Sequence, residues 1–178
     1  MTNAVLVVDM LVGFLESGHN LYCGDDSRSI IPSVQTLLDI ESSKGSELIF
    51  ICDSHLQDDL EFEMFPVHCL KGSEESQLIQ ELRNYSGTRI DKNRYSGFYG
   101  TNLSEHLREL DPEKLIICGV CTDICVLHTS ADARNRDYVV DLASDAVASF
   151  DNKAHSWALD HMEKILGVNM FSVGDLRG

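Results

Sequence analysis

Residues 114–135, KLIICGVCTDICVLHTSADARN, decide how the chain is read. The apolar run Leu115-Ile116-Ile117-Cys118 predicts a buried strand and Gly119 breaks it. A helical pattern then resumes at Thr122-Asp123, with Ile124, Val126, Leu127 and Ala131 apolar. Cys125 falls in the first turn of that predicted helix. A helix N-terminus carries partial positive charge, which favours thiolate over thiol. A strand–turn–helix with a cysteine there is a place to activate a nucleophile.

Three further apolar, β-branched runs accompany this stretch: Ala4–Val8, residues 48–52 and residues 138–140. Near-continuous apolar runs suit strands buried on both faces of a parallel sheet. Helical spacing predicts helices over residues 29–43, 74–85, 102–110, 122–134 and 151–166. Pro32 starts the first and Gly45 follows it, and Asn102 and Asp151 are candidate caps. The alternation predicts an α/β fold, an open parallel, Rossmann-like sheet with helices on both faces, in a single domain over residues 1–178. Residues 53–73 make a connection long enough to suggest a function of its own.

The 178 residues carry 29 Asp and Glu against 14 Lys and Arg, a net charge of −15. Such a surface repels phosphate backbones and anionic membranes, so neither nucleic acid nor membrane is expected as a partner. The first apolar segment lacks a basic flank, and no stretch is long enough to span a bilayer. The six cysteines lie in or beside apolar runs rather than in disulfide spacing, so reduced thiols and a cytoplasmic location are expected.

In open α/β sheets ligands gather at the carboxyl ends of the strands. Asp9 ends the first predicted strand, Asp53 and His55 end the second, and Cys121 and Cys125 follow the third. That convergence points to an enzyme. Asp9 is a carboxylate at the end of a buried run, where it must be paired or used. Asp53 and His55, two apart, share a face. With Glu61 and His68 they make a donor set suited to a divalent first-row metal, although Asp58, Asp59 and Glu63 compete with Glu61 and, on residues alone, a polar surface loop is the preferred reading. On residues alone Lys92 reads as a solvated lysine and His128 as a core or interface histidine. Cys118-Gly119-Val120-Cys121 has dithiol spacing, but its first cysteine closes a strand, which argues against disulfide chemistry between them. Cys52 and Cys69 read as buried structural thiols. Phe14, Phe65, Tyr95 and Phe98 flank the motifs and are candidate walls for a flat substrate.

VVDM at the N-terminus, D-x-H followed by P-x-H, K-x-R-Y-S-x-F, and GVCTDICVLHTSADA together resemble the isochorismatase-like cysteine hydrolases, and within them the nicotinamidases (pyrazinamidases). The resemblance covers nearly the whole chain. It implies a catalytic set of Asp9, Lys92 and Cys125, and an oxyanion hole from the backbone of Cys121 and Cys125 beside a cis Val120–Cys121 peptide. It also implies metal ligands Asp53, His55, Glu61 and His68, and substrate contacts from Phe14, Phe65 and Tyr95. The cofactor it implies is one divalent transition metal, zinc ahead of iron or manganese. The activity it implies is hydrolysis of nicotinamide to nicotinate and ammonia through a cysteine thioester, in NAD salvage, with pyrazinamide also a substrate and a homo-oligomer as the assembly. Residues 69–77, CLKGSEESQ, and Val12-Gly13 depart from the family pattern. Two other readings stay open: a cysteine amidohydrolase of carbamoyl or ureido substrates, and a non-catalytic binding oligomer.

Overall fold

In the computed structural model, which describes residues 2–177, β1 (Ala4–Val8), β2 (Glu47–Asp53), β3 (Thr88–Lys92), β4 (Leu115–Val120), β5 (Val140–Ala148) and β6 (Asn169–Phe171) form one sheet. Its order is β3-β2-β1-β4-β5-β6, with every pair parallel. Every residue of β1 is buried, because its period of two feeds two cores. Val5 and Val7 pack with Ile31, Val34, Leu37 and Leu38 of α3 (Ile31–Ser43). Ala4, Leu6 and Val8 pack on the other face with Leu103 and Leu107 of α4 (Leu103–Leu110), Ala133 of α5 (Leu127–Arg134) and Ala158 and Met162 of α6 (Asn152–Lys164). Two single turns, α1 (Val12–Leu15) and α2 (Asp25–Arg28), follow β1.

The order places the site. From β1 the chain runs outward to β2 and β3, and from β4 it runs the opposite way to β5 and β6. The carboxyl ends of β1 and β4 therefore diverge into a crevice at the point of reversal, where open α/β sheets bind ligands.

Several elements differ from expectation. Residues 74–85 are not a helix; only Gln80–Leu82 makes a short 3-10 turn. Their backbone groups are used across the chain instead: Val12 N–H donates to Gln77 O, Gly13 N–H to Glu75 O and Ile79 N–H to Met10 O. β5 begins at the end of its predicted run and extends well beyond it, because Asp141, Ser144 and Asp145 interrupt its apolar pattern. Edge strands β3 and β6 are short and partly polar, so neither reads as a strand from its residues. Asn102 precedes α4 without a side-chain cap bond; Thr101 Oγ1 accepts the Leu103 N–H instead, at 3.2 Å. Asp151 does cap α6, accepting from the N–H groups of Lys153 and Ala154.

Gly119 holds the two central strands together at the crevice. It pairs with Val8, has φ +115°, and a Cβ there would lie 2.0 Å from the Val8 carbonyl oxygen. No side chain fits, and the conformation itself disfavours one. Gly119→Ala is expected to destabilise the fold by at least about 3 kcal/mol. Urea melts check this, and a variant within about 1 kcal/mol of wild type would contradict the packing described.

Candidate active site

Four side chains meet at the crevice. β2 and β3 pair so that Asp53 lies opposite Lys92. In β3, Arg89 and Asp91 face solvent while Ile90 and Lys92 turn inward, and Lys92 is 3% exposed. This overturns the reading of Lys92 as a solvated lysine: the strand's alternation drives its stem into the core. Its ammonium donates to Asp53 Oδ1, lies 2.8 Å from Asp9 Oδ2 and reaches Cys125 Sγ at 3.5 Å. Asp9 follows β1 in a left-handed conformation, φ +50°. Its Oδ1 accepts the Asp53 N–H at 2.9 Å, and its Oδ2 has an ion pair but no aligned hydrogen bond. Donor atoms of Asp9, Asp53 and Cys125 all lie within 4.8 Å of one another.

These neighbours divide the charge. Burial alone would raise Asp53, but Lys92, His55 and His68 outweigh it and hold that carboxyl well below the usual range. Burial and the Asp53 charge push Asp9 up to about 6, against the pull of Lys92. Burial would lower Lys92, yet Asp53 and Asp9 keep it well above its ordinary value. Cys125 is raised well above the usual thiol range by burial, with Lys92 only partly offsetting. The charge of Lys92 alone therefore does not offset burial at Cys125. The helix also begins differently. Thr122–Val126 is a π-turn in which Val126 N–H reaches Cys121 O at 3.1 Å, and the α-helix starts only at Leu127. Such turns recur at functional sites. The Val120–Cys121 peptide is cis.

Beside this group lies a second cluster. His55 Nε2 and His68 Nε2 are 3.6 and 3.7 Å from Asp53 Oδ2, and His68 Nε2 is 3.9 Å from Glu61 Oε1. His68 Nδ1 donates to Pro66 O at 2.8 Å, and His55 Nδ1 lies 3.0 Å from Asp59 Oδ2, so both Nε2 atoms face inward. His55 Nε2 and Glu61 Oε2 are buried without a hydrogen-bond partner. Two imidazoles and two carboxylates, one buried atom of each kind without a partner and the outer imidazole nitrogens already engaged, fit a divalent metal. Asp59 holds His55 from outside and caps the turn that carries Glu61, whose N–H it accepts at 2.9 Å. Asp58 and Glu63 are exposed. Among these acids Glu61 faces the cluster, while donor atoms of Asp53, His55 and His68 lie within 4.8 Å of one another and Asp59 holds His55 from outside.

The two clusters share one cavity, lined by the polar Asp9, Asp53, Glu61, His68, Cys121 and Cys125 and by the aromatic Phe14, Phe65 and Tyr95. Leu21, Ile124 and Phe150 also line it. They were missed because each is an ordinary apolar residue in its local sequence. Phe98 lies outside the cavity, buried under the Arg136 guanidinium. His128 is exposed rather than in the core, with its ring 5.3 Å from Tyr95. Cys52 and Cys69 are fully buried thiols. The departures from the family pattern have a local purpose. A Cβ on Gly13 would meet Cys69 Sγ at 2.9 Å, and Glu75 accepts the Cys69 N–H at 3.0 Å, which together seat the loop that carries His68.

A family model described as the Isochorismatase domain matches residues 3–172. The chain belongs to the isochorismatase family. Its fold superposes on nicotinamidase PncA from Bacillus subtilis with a TM-score of 0.89, at 34% identity over 96% of this chain and 99% of that one. N-carbamoylsarcosine amidase from Thermoplasma acidophilum gives a TM-score of 0.89 at 30% identity, with both chains fully covered. The pyrazinamidase of Pyrococcus horikoshii, solved in complex with zinc, gives 0.88 at 28% identity, covering 97% of this chain and 99% of that one. No helix among the described residues is long and apolar enough to cross a membrane.

Asp59 tests the cluster without removing one of its inner donors. Asp59→Ala is expected to weaken zinc binding about 10–100-fold. Competition against a chromophoric chelator measures it, and an unchanged affinity would remove Asp59 from the orienting role.

Proposed function

We propose that this family member is an amide C–N hydrolase that converts nicotinamide to nicotinate and ammonia through a thioester on Cys125, with pyrazinamide as a second substrate. The observation that carries the reading is the sharing of one cavity by the thiol group of residues and the metal-type cluster. A planar amide bearing a ring nitrogen uses both ends of such a cavity, and the aromatic wall matches its faces. The nicotinamidase and pyrazinamidase relatives support the substrate class.

Asp53, His55, Glu61 and His68 would hold the metal. When bound, it would supply a Lewis-acidic contact for the pyridine nitrogen. Phe14, Phe65 and Tyr95 hold the ring and exclude water from its faces. Asp9 takes the proton of Cys125 through the carboxylate oxygen that has no aligned hydrogen bond, and Lys92 stabilises the sulfur anion as it forms. The sulfur attacks the amide carbon. The backbone N–H groups of Cys121 and Cys125 receive the oxyanion, a contribution of about 3–4 kcal/mol per donor in comparable sites. The C–N bond then breaks, and Asp9 returns its proton to the departing ammonia. Water adds to the thioester with Asp9 again as base, releasing the carboxylic acid and restoring the thiol. Lys92 also keeps Asp53 ionised, which leaves Asp9 as the carboxylate that carries the proton.

Ammonia release from purified metal-loaded protein, with nicotinamide, pyrazinamide and N-carbamoyl amino acids offered in parallel, tests the proposal. Nicotinamide is expected to be turned over at least about tenfold faster than the ureido compounds, and the reverse order would transfer the assignment to a carbamoyl amidase. Cys125→Ala is expected to abolish ammonia release while retaining wild-type metal content; residual turnover near wild type would remove the nucleophile assignment. His68→Ala is expected to lose metal and to raise KM for nicotinamide, and metal content equal to wild type would sink its place in the donor set.

A further inference from the structure

Cys118 and Cys121 have dithiol spacing, but the sulfur contact of the fold lies elsewhere. Cys118 lies in β4, where burial pushes its thiol up to about 12. Cys121 instead meets Cys23, 98 residues away along the chain, with the two sulfurs 3.4 Å apart. Cys121 lines the catalytic cavity and is 5% exposed; Cys23 is 6% exposed. Both backbones are held. The Cys121 carbonyl accepts the N–H groups of Ile124 and Val126, each at 3.1 Å. Cys23 donates its N–H to Phe14 O at 2.8 Å, and its carbonyl accepts the Ser27 hydroxyl at 3.0 Å. The sulfur contact is therefore a fixed feature of the wall. A disulfide bond is about 2.05 Å long, so closure needs only about 1.4 Å of approach, within reach of side-chain rotation and a small backbone shift.

We propose that Cys23 and Cys121 are a dithiol modification site, closed to a disulfide by hydrogen peroxide that enters through the catalytic cavity. One thiol, as thiolate, attacks the peroxide oxygen and becomes a sulfenic acid while the O–O bond breaks and water leaves. The second thiol attacks that sulfur, the S–S bond forms, and the sulfenic oxygen leaves as a second water. Two thiols lose two electrons and two protons, and one peroxide is reduced to two waters. The cross-link ties residues 16–24, which carry the cavity residue Leu21, to the turn before Cys125. It also draws on Cys121, whose N–H belongs to the oxyanion hole in the proposed function. Displacement there by about an ångström lowers turnover about a hundredfold, a consequence that rests on that reading. The contact with Cys23, followed by burial, raises Cys121 well above the usual thiol range.

Cys125→Ser protein, treated with hydrogen peroxide, alkylated and digested without reductant, tests the site by peptide mass spectrometry. A Cys23–Cys121 cross-linked pair, lighter by two hydrogens and cleaved by dithiothreitol, is expected, with a thermal midpoint that rises on oxidation and returns on reduction. Recovery of Cys23 and Cys121 as alkylated thiols or as separate sulfinic acids would overturn the proposal. In wild-type protein, full cross-linking with Cys125 still alkylatable is expected to lower ammonia release about a hundredfold, reversibly, while Cys23→Ser keeps its activity under the same exposure. Full activity in the cross-linked protein, or oxidation of Cys125 before the cross-link forms, would overturn the control of turnover. The cross-link map needs no substrate, so a failure of every amide in the assay would count against the proposed function and leave this test standing.

Discussion

One buried ammonium holds the crevice together. Lys92 sits among Asp9, Asp53 and Cys125, and its single positive charge faces two carboxylates that burial would otherwise neutralise. Removing one partner from such a group leaves an uncompensated buried charge, which typically costs about 3–5 kcal/mol. The sharing is unequal. Asp53 stays ionised and faces the imidazoles, while Asp9 is pushed up to about 6. Two carboxyl groups at the ends of neighbouring strands thus acquire different proton affinities around one lysine, a division that the proposed function uses for an anionic ligand and a proton carrier.

The sheet exists around that arrangement. Parallel pairing of β2 with β3 puts Asp53 opposite Lys92, and the pairing of Val8 with Gly119 brings the residue after β1 beside the turn that carries Cys125. The reversal of strand order between β1 and β4 opens the space between them. The metal-type cluster extends from the same Asp53, so the two chemistries share a residue as well as a cavity.

Much of this was legible in the chain because the central strands are continuous apolar runs that end in polar residues. β1 matches its predicted run residue for residue, and Asp9, Asp53 and the Cys121–Cys125 turn fall at strand ends by sequence alone. What was not legible depends on partners far away in sequence. Lys92 reads as solvated until β3 is known to pair with β2, since a five-residue edge strand with two exposed charges carries little pattern. Residues 74–85 have helical spacing, but the segment after β1 claims their backbone hydrogen bonds. The expected ease of ionising the thiol meets a different obstacle: burial outweighs the lysine. The approach of Cys23 to Cys121 has no local signal at all.

The central claim is that Cys125 forms a covalent acyl intermediate. Acid-quenching the metal-loaded protein during turnover of nicotinamide, followed by peptide mass spectrometry, tests it most directly. The account predicts a nicotinoyl group on the peptide containing Cys125, absent from Cys125→Ser protein. Steady ammonia release with no acyl group on Cys125 at any quench time, or with the acyl group on another residue, would contradict it.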